Sequence, residues 1–434
     1  MLSAPTSYSY KEDNATSCCM RCAVTSGCRA WSIFYDNAGG PWKGMSHCLI
    51  YSRAAPLTQG NCTSGIMRPT PPSLPVQKTP KGARNVLLLI VDDLRPQLGV
   101  YGQSEMITPN IDRIGANGVV FKRAYCQIAI CGPSRNSFLT GRRPQHTQVW
   151  NFVDTFRESH PDWVPFPAYF KMHNYTTLGA GKTYHPKSPP YSDEPASWSQ
   201  EEGYYGGAFA WPPRPGSPQN SMDAPRDDDD PPYHTSGEGV DANPPTPDVD
   251  CLVWPHSMLC PRANVTDSYF RDWRSMNTTR ARIFKYASDN TRPFFLAYGA
   301  HRPHLPWSYP RRFWDMYPEN EKIPLPKHEA APLNMPSVAF TYEMDGKVLV
   351  DAMNHTEVLP YPAANTAFTH NMTRTLRRGY YGAVSWCDFL IGELLDALEV
   401  AGVANNTVVA LVGDHGWQVN SCVWRFMCVF VEFM

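Results

Sequence analysis

Two short aliphatic runs, each breaking off at acidic residues, constrain this chain more than any other feature. One is Val86 to Val91 followed by Asp92-Asp93; the other is Thr407 to Val412 followed by Gly413-Asp414-His415-Gly416. A run with no polar alternation predicts a strand covered on both faces, the habit of parallel sheets flanked by helices. Phe294 to Tyr298 reads the same way. Amphipathic stretches at 110–116, 133–140, 267–287 and 374–400 supply helices, the last with Val384, Phe389, Leu390, Leu394, Leu395 and Leu398 near helical spacing. The alternation predicts an α/β domain with a largely parallel central sheet between helices. Ligands of such sheets gather beyond the carboxyl ends of strands, so the two acidic ends are predicted to converge on one site.

The domain starts well into the chain. Residues 1–68 carry six of the thirteen cysteines (Cys18, Cys19, Cys22, Cys28, Cys48, Cys62) and read as a small disulfide-stapled module. Zinc is the rival for Cys19-x-x-Cys22, but a second matched pair is missing. The proline-rich stretch 69–84 reads as a semi-rigid linker, and 85–434 as the main domain. Within it, 186–261 is rich in Pro, Gly and Asp and is expected to be a long surface excursion, with Asp227 to Asp230 solvated and Cys251 paired locally with Cys260. Eight N-x-S/T sequons, at Asn14, Asn61, Asn174, Asn264, Asn277, Asn354, Asn371 and Asn405, predict an ER-processed glycoprotein, lysosomal or secreted. Met1 to Pro5 has neither a positive nor an apolar signal region, so a signal peptide is expected to have been removed or to precede this start. With 39 Lys+Arg against 40 Asp+Glu, no basic field invites nucleic acid. The longest apolar runs are six residues, against roughly 20 for a bilayer-spanning helix, so no membrane span is expected.

The candidate chemistry lies at the strand ends. Asp92, Asp93 and Asp414 offer hard oxygen donors, which suit Ca²⁺ or Mg²⁺ better than zinc. Taken alone, Asp92-Asp93 reads equally as a turn or helix cap. A third element, Cys131-Gly132-Pro133-Ser134-Arg135, runs on through Leu139-Thr140-Gly141-Arg142. Pro133 fits the first turn of a helix, which puts Cys131 at a helix N-terminus where an anion is favoured. On its own Cys131 reads as a reactive thiolate or half of a disulfide.

The C-x-P-S-R spacing with its downstream Leu-Thr-Gly-Arg resembles the sulfatase signature. The likeness extends from about Asn85 to Trp417 through Thr108 to Asp112, Gly181 to Pro186, His301 to Pro306 and Asp414 to Trp417. Within the family it is nearest to the branch acting on sulfated uronate residues of glycosaminoglycans. The order of cysteines in 1–68, with Cys28-Arg29-Ala30-Trp31 and His47-Cys48-Leu49-Ile50, resembles the PAN/apple family, whose modules bind proteins or glycans.

The resemblance implies an alkaline-phosphatase-like sandwich preceded by a small α+β PAN/apple module. It implies that Cys131 becomes formylglycine through the formylglycine-generating enzyme, and that Asp92, Asp93, Asp414 and His415 hold one calcium ion with the modified Cys131. Arg135, Lys182, His185 and His301 would surround the sulfate, with Lys182, His301 and Trp417 contacting substrate. One hydroxyl of a formylglycine hydrate would attack sulfur to form a covalent sulfate ester, and the other would expel sulfate. His301 would protonate the departing sugar oxygen as an imidazolium. The substrate implied is a heparan- or dermatan-type glycosaminoglycan. After Trp417 the likeness stops: Gln418 to Arg425 stand where the family has Leu-Gly-Glu-His-Gly and a sulfate-contacting lysine, so the chain reads as a truncated sulfatase. A second reading is therefore an inert sulfatase domain beside a PAN module that binds a glycan or protein. A phosphatase or phosphodiesterase of the superfamily is disfavoured because those enzymes usually place Thr or Ser at the Cys131 position.

Overall fold

The structure, a computed structural model, describes residues 76–206, 259–326 and 370–416, apart from 153, 187, 200–202, 263–264, 289–290 and 306, with three strands in the first 52 residues. The chain divides into two compact units, Met1–Thr70 and Pro71–Met434. In the first, β1 (Tyr8–Lys11), β2 (Cys28–Tyr35) and β3 (Ser46–Ser52) form an antiparallel sheet of order β1-β3-β2. The cysteine side chains of this unit lie outside the described residues.

The second unit is built on β4 (Asn85–Val91), β5 (Thr176–Gly181), β6 (Tyr204–Tyr205), β8 (Phe294–Ala300) and β10 (Thr407–Gly413). They run parallel in the order β10-β4-β8-β5-β6. A smaller parallel pair joins β7 (Leu259–Arg262) to β9 (Trp307–Pro310). Every residue of β4, β5 and β8 is buried, as the unbroken aliphatic runs require. Side chains alternate across β4. Leu87, Leu89 and Val91 join the core beneath α4 (Arg271–Ala287) and α5 (His370–Val400), while Val86, Leu88 and Ile90 pack with Leu139 and Phe156 and against Phe138 and Phe170 on the other face. Phe138 and Leu139 belong to α2 (Cys131–Thr140) and Phe170 to α3 (Phe166–Met172).

The helix expected over 267–287 is two pieces. A 3₁₀ turn at Asp267–Tyr269 precedes α4, because Phe270 is extended (φ −85°, ψ 135°) and buries its ring in the core. The surface excursion expected at 186–261 is corrected at its start. Ser188, Ser197 and Trp198 are at most 1% exposed, and β6 adds to the sheet edge. Trp198 packs against Tyr204 (5.4 Å between ring centroids) and Tyr184 (6.3 Å), while Asp193 accepts Arg157 Nε and Nη2 at 2.6 and 2.9 Å. Turn-rich composition concealed this aromatic and ionic anchoring. Residues 207–258, with Asp227 to Asp230 and Cys251, lie outside the described residues, as does the side chain of Cys260. Among the described residues, no helix is long and apolar enough to cross a membrane.

Helix α1 (Pro109–Ala116) is capped from a distance. Thr108 makes no side-chain cap bond, and Asp388 of α5 instead accepts from Ile111 N (2.7 Å), Asn110 N (3.3 Å) and Asn110 Nδ2 (2.9 Å). Burial outweighs these donors and raises the Asp388 carboxyl to about 6. An acid whose folded pKa is raised contributes most to stability below its unfolded pKa and loses that contribution as pH rises through the folded value. Stability of Asp388→Asn relative to wild type is therefore expected to improve by about 2 kcal/mol from pH 4 to pH 7, measured by urea unfolding at each pH. A flat difference would show that the carboxyl is not perturbed.

Candidate active site

The carboxyl ends of β4, β5, β8 and β10 open on one side of the sheet, and α2 begins there. The β4 end continues into Asp92 and Asp93, both at most 1% exposed. Asp93 takes a left-handed conformation (φ 58°), which aspartate tolerates better than most residues. The turn is pinned on both sides: Asp93 N donates to Asp414 Oδ1 (3.1 Å), and Tyr380 OH donates to Asp93 O (2.8 Å). From β10 come Asp414 and His415, whose path runs tightly under the first loop. A Cβ on Gly416 would stand 2.9 Å from Arg95 Cα, so only glycine admits this approach.

Cys131 is the first residue of α2 and is buried. Its Sγ lies 3.0 Å from His415 Nε2 and 3.4 Å from Asp92 Oδ1. On the far side of the His415 ring, Nδ1 is 3.0 Å from Asp93 Oδ1. One turn along α2, Arg135 is fully buried; its Nε is 3.0 Å from Asp414 Oδ2 and its Nη2 3.4 Å from Asp92 Oδ1, while Nη1 donates to the carbonyls of Lys182 and Thr183. Lys182 Nζ reaches Asp92 Oδ2 at 2.5 Å. It can do so because Gly181, at φ 71°, turns the chain sharply at the end of β5.

Beyond β8, Asp272 in the first turn of α4 accepts from the backbone N–H groups of His301 (2.6 Å) and Arg302 (3.2 Å). This fixes the loop on which the His301 ring stacks against His304, 4.6 Å between centroids. Asp92, His301 and His304 form a second cluster sharing Asp92 with the first.

Burial and charge together set the protonation states. Burial alone would raise the Asp92 carboxyl, but Lys182 and Arg135 reverse this and hold it well below the usual range. Burial raises its neighbour Asp414 to about 6, restrained by Arg135 and furthered by Asp92. Two carboxylates this close cannot both ionise at their ordinary pKa. Burial opposes a charge on His415, yet Asp414, the Cys131 thiol and Asp93 keep its imidazole well above the ordinary range. His301 goes the other way, lowered well below the ordinary range by burial, then Arg302 and Lys182.

Asp92, Cys131, Asp414 and His415 each bring a donor atom within 4.8 Å of the others. Asp93 Oδ2 is buried with no hydrogen-bond partner among the described residues, a lone pair left for something outside the chain. Three carboxylates face Arg135 and Lys182, a donor set that fits a hard cation. Of the expected residues the structure brings together Asp92, Asp93, Cys131, Arg135, Lys182, Asp414 and His415, with His301 and His304 alongside; His185 is buried on the turn after Lys182. Trp417 lies outside the described residues. Asp272, Tyr380 and His304 were not singled out in the sequence: an aspartate opening a helix and a tyrosine in an apolar stripe carry no signal of the loops they hold. Only His304, three residues after His301, sits inside a motif that could have flagged it.

Residues 84–423 match the Sulfatase family model. The chain is 34% identical to the iduronate 2-sulfatase of Homo sapiens over 344 residues, 78% of this chain and 55% of that protein, and 34% identical to that of Mus musculus over 341 residues, with the same coverages. It is 23% identical to the choline-sulfatase of Rhizobium meliloti, covering 77% and 58%. The chain thus spans about 55% of the length of the iduronate 2-sulfatases it matches. Two solved structures superpose with a TM-score of 0.51. One, solved in complex with its substrate D-glucosamine-2-N,6-O-disulfate, is 19% identical and covers 81% of this chain and 70% of its own; the other, the phosphonate monoester hydrolase of Agrobacterium radiobacter, is 18% identical and covers 81% and 67%. Both share the fold.

Asp272→Asn replaces an acceptor with an NH₂ group facing a backbone donor and is expected to cost about 1–3 kcal/mol in urea unfolding. A change within about 0.5 kcal/mol, the range of a neutral surface substitution, would count against its role in holding the His301 loop.

Proposed function

The chain belongs to the sulfatase family, and on that premise we propose that it hydrolyses sulfate esters on uronate residues of a heparan- or dermatan-type glycosaminoglycan. The observation that carries this reading is Cys131 at the first position of a buried helix, its Sγ between His415 Nε2 and Asp92 Oδ1. Its supports are the C-x-P-S-R spacing and the 34% identity to iduronate 2-sulfatases. Cys131, converted to formylglycine by the formylglycine-generating enzyme, supplies a hydrated aldehyde whose hydroxyl groups in turn accept the sulfuryl group and release sulfate. A calcium ion held by Asp92, Asp93, Asp414, His415 and the modified Cys131 supplies Lewis acidity and charge neutralisation.

The chain's own residues account for the rest. Lys182 and Arg135 fix Asp92 and Asp414, and their positive charge faces the oxygens of an incoming sulfate. Asp93 orients the His415 ring from its Nδ1 side (3.0 Å), turning Nε2 toward Cys131. Burial, Arg302 and Lys182 lower His301, and a sulfate ester's negative charge opposes them, favouring the proton that the departing sugar oxygen requires. The sequons support passage through the ER to a lysosomal or secreted destination, and Asn277, Asn371 and Asn405 are exposed, as glycan acceptors must be. Asn174 is half-buried and donates to Thr79 Oγ1 (2.9 Å), the least suited of the described acceptors.

Coexpression with the formylglycine-generating enzyme is expected to convert Cys131, read as a mass loss on its peptide, and to yield turnover of a 2-sulfated iduronate disaccharide that Cys131→Ala abolishes. An unmodified thiol without turnover would sink the proposal. Saturating calcium is expected to raise the melting temperature, since a ligand at 100 times its Kd stabilises by about 2.7 kcal/mol. Asp93→Asn is expected to remove most of that shift.

A further inference from the structure

Beside the face of α2 that carries Cys131 and Arg135 runs a second stripe at helical spacing, Ser134, Ser137 and Phe138, with Gly141 just past the helix end. The stripe lines a cavity of about 260 Å³ that reaches from Asp414 to Arg142 and Arg143. We propose that this groove holds a second anionic sugar of the glycan, adjacent to the one whose sulfate is cleaved at Cys131. The inference rests on the sulfate-ester reading above.

The floor of the groove fixes both its ends. Ser134 Oγ donates to Asp414 O (2.5 Å) and Ser137 Oγ to Arg142 O (2.6 Å), so each hydroxyl ties a turn of α2 to one end of the cavity. From Ser134 to Gly141 the helix rises about 10 Å, room for a sugar ring and its charged substituent. Gly141 takes a left-handed conformation (φ 64°), and a Cβ there would meet nothing within 4 Å, so this end is open. The turn leads directly into Arg142 and Arg143, both exposed.

The charge around the groove is of one sign. Neither guanidinium has an ion pair among the described residues, and Arg142 is steadied by the Trp163 ring, 5.4 Å from Cζ to the centroid. Lys122 and Arg123, exposed and also without an ion pair among the described residues, lead into Tyr125, another lining residue. Asp414 is the one acid in the lining, and Arg135 already engages it at 3.0 Å. The chain as a whole carries a net charge of −1, so the four cations are a local concentration, and a cleft of one sign gathers ligands of the other. Tyr125, 47% exposed, adds an aromatic surface for a sugar's apolar face, while a guanidinium fork fits a sulfate or carboxylate. Asp414 lines the groove and also clusters with Cys131, so neighbouring sugars of one glycan can occupy the two places across a single residue.

The test uses the coexpressed full chain with two substrates. One is a heparin-derived tetrasaccharide ending in 2-sulfated iduronate; the other is 4-methylumbelliferyl sulfate, which has no second anionic group. An exposed charge contact is worth up to about fivefold, so Arg142→Gln/Arg143→Gln is expected to lower kcat/KM for the tetrasaccharide about tenfold relative to the aryl sulfate, through KM. Arg142→Lys/Arg143→Lys, which keeps the charge, is expected to recover most of the loss. Cys126, a free thiol lining the same groove, gives a readout in place: saturating tetrasaccharide is expected to slow its alkylation by iodoacetamide, followed by peptide mass. A Gln double variant that keeps the wild-type ratio between substrates, or a Cys126 thiol alkylated equally fast with and without tetrasaccharide, would overturn the inference and leave the proposed function standing. A wild-type chain that turns over neither substrate would overturn the proposed function. Calorimetry with the tetrasaccharide then decides the groove: an affinity lowered about tenfold by the Gln double variant supports it, and an unchanged affinity rejects it.

Discussion

One guanidinium ties the site to the sheet. Arg135 leaves the middle of α2 fully buried and reaches Asp92 after β4, Asp414 after β10, and the carbonyls of Lys182 and Thr183 after β5. Three strand ends and one helix meet in a single planar side chain. Its five fixed donors match such an arrangement as the single ammonium of lysine cannot. A buried ion pair adds little to stability against an apolar replacement, yet removing one partner leaves a charge that the interior cannot solvate. Arg135 thus contributes registration more than net stability.

The same concentration of charge sets the protonation of the acids around it. Arg135 and Lys182 oppose three buried carboxylates, and the imbalance shows in the acids themselves: Asp92 is held down while Asp414 is pushed up to about 6. The parallel sheet makes this concentration possible. Parallel strands deliver all their carboxyl ends to the same side, so short loops suffice to bring residues more than 300 positions apart, such as Asp93 and Asp414, within 3.1 Å.

Much of this was readable in the order of residues. Unbroken aliphatic runs ending in acids marked β4 and β10 and their convergence, and the signature around Cys131 marked the helix that starts at it. What escaped notice was whatever depends on contacts between distant elements. Asp272 opens a helix in a way that any first-turn aspartate does; that it accepts from His301 and Arg302 follows only from the packing of α4 on β8. Asp388 lies in an apolar helix and caps another one. The stretch around residues 188–199 has the composition of a loop, and the buried Trp198 and the Arg157–Asp193 pair anchor it to the core.

Strand β10 has β4 as its one partner among the described residues, and it carries Asp414 and His415 at its end. Detaching β10 from β4 would withdraw two donors from the proposed cation site in one movement and strip Arg135 of its closest carboxylate. Strand docking and cation binding are therefore linked equilibria, each strengthening the other by the same free energy. The slowest-exchanging amides of β10 would report the ion concentration around the protein, making a backbone ladder into a gauge of the medium in which the chain works.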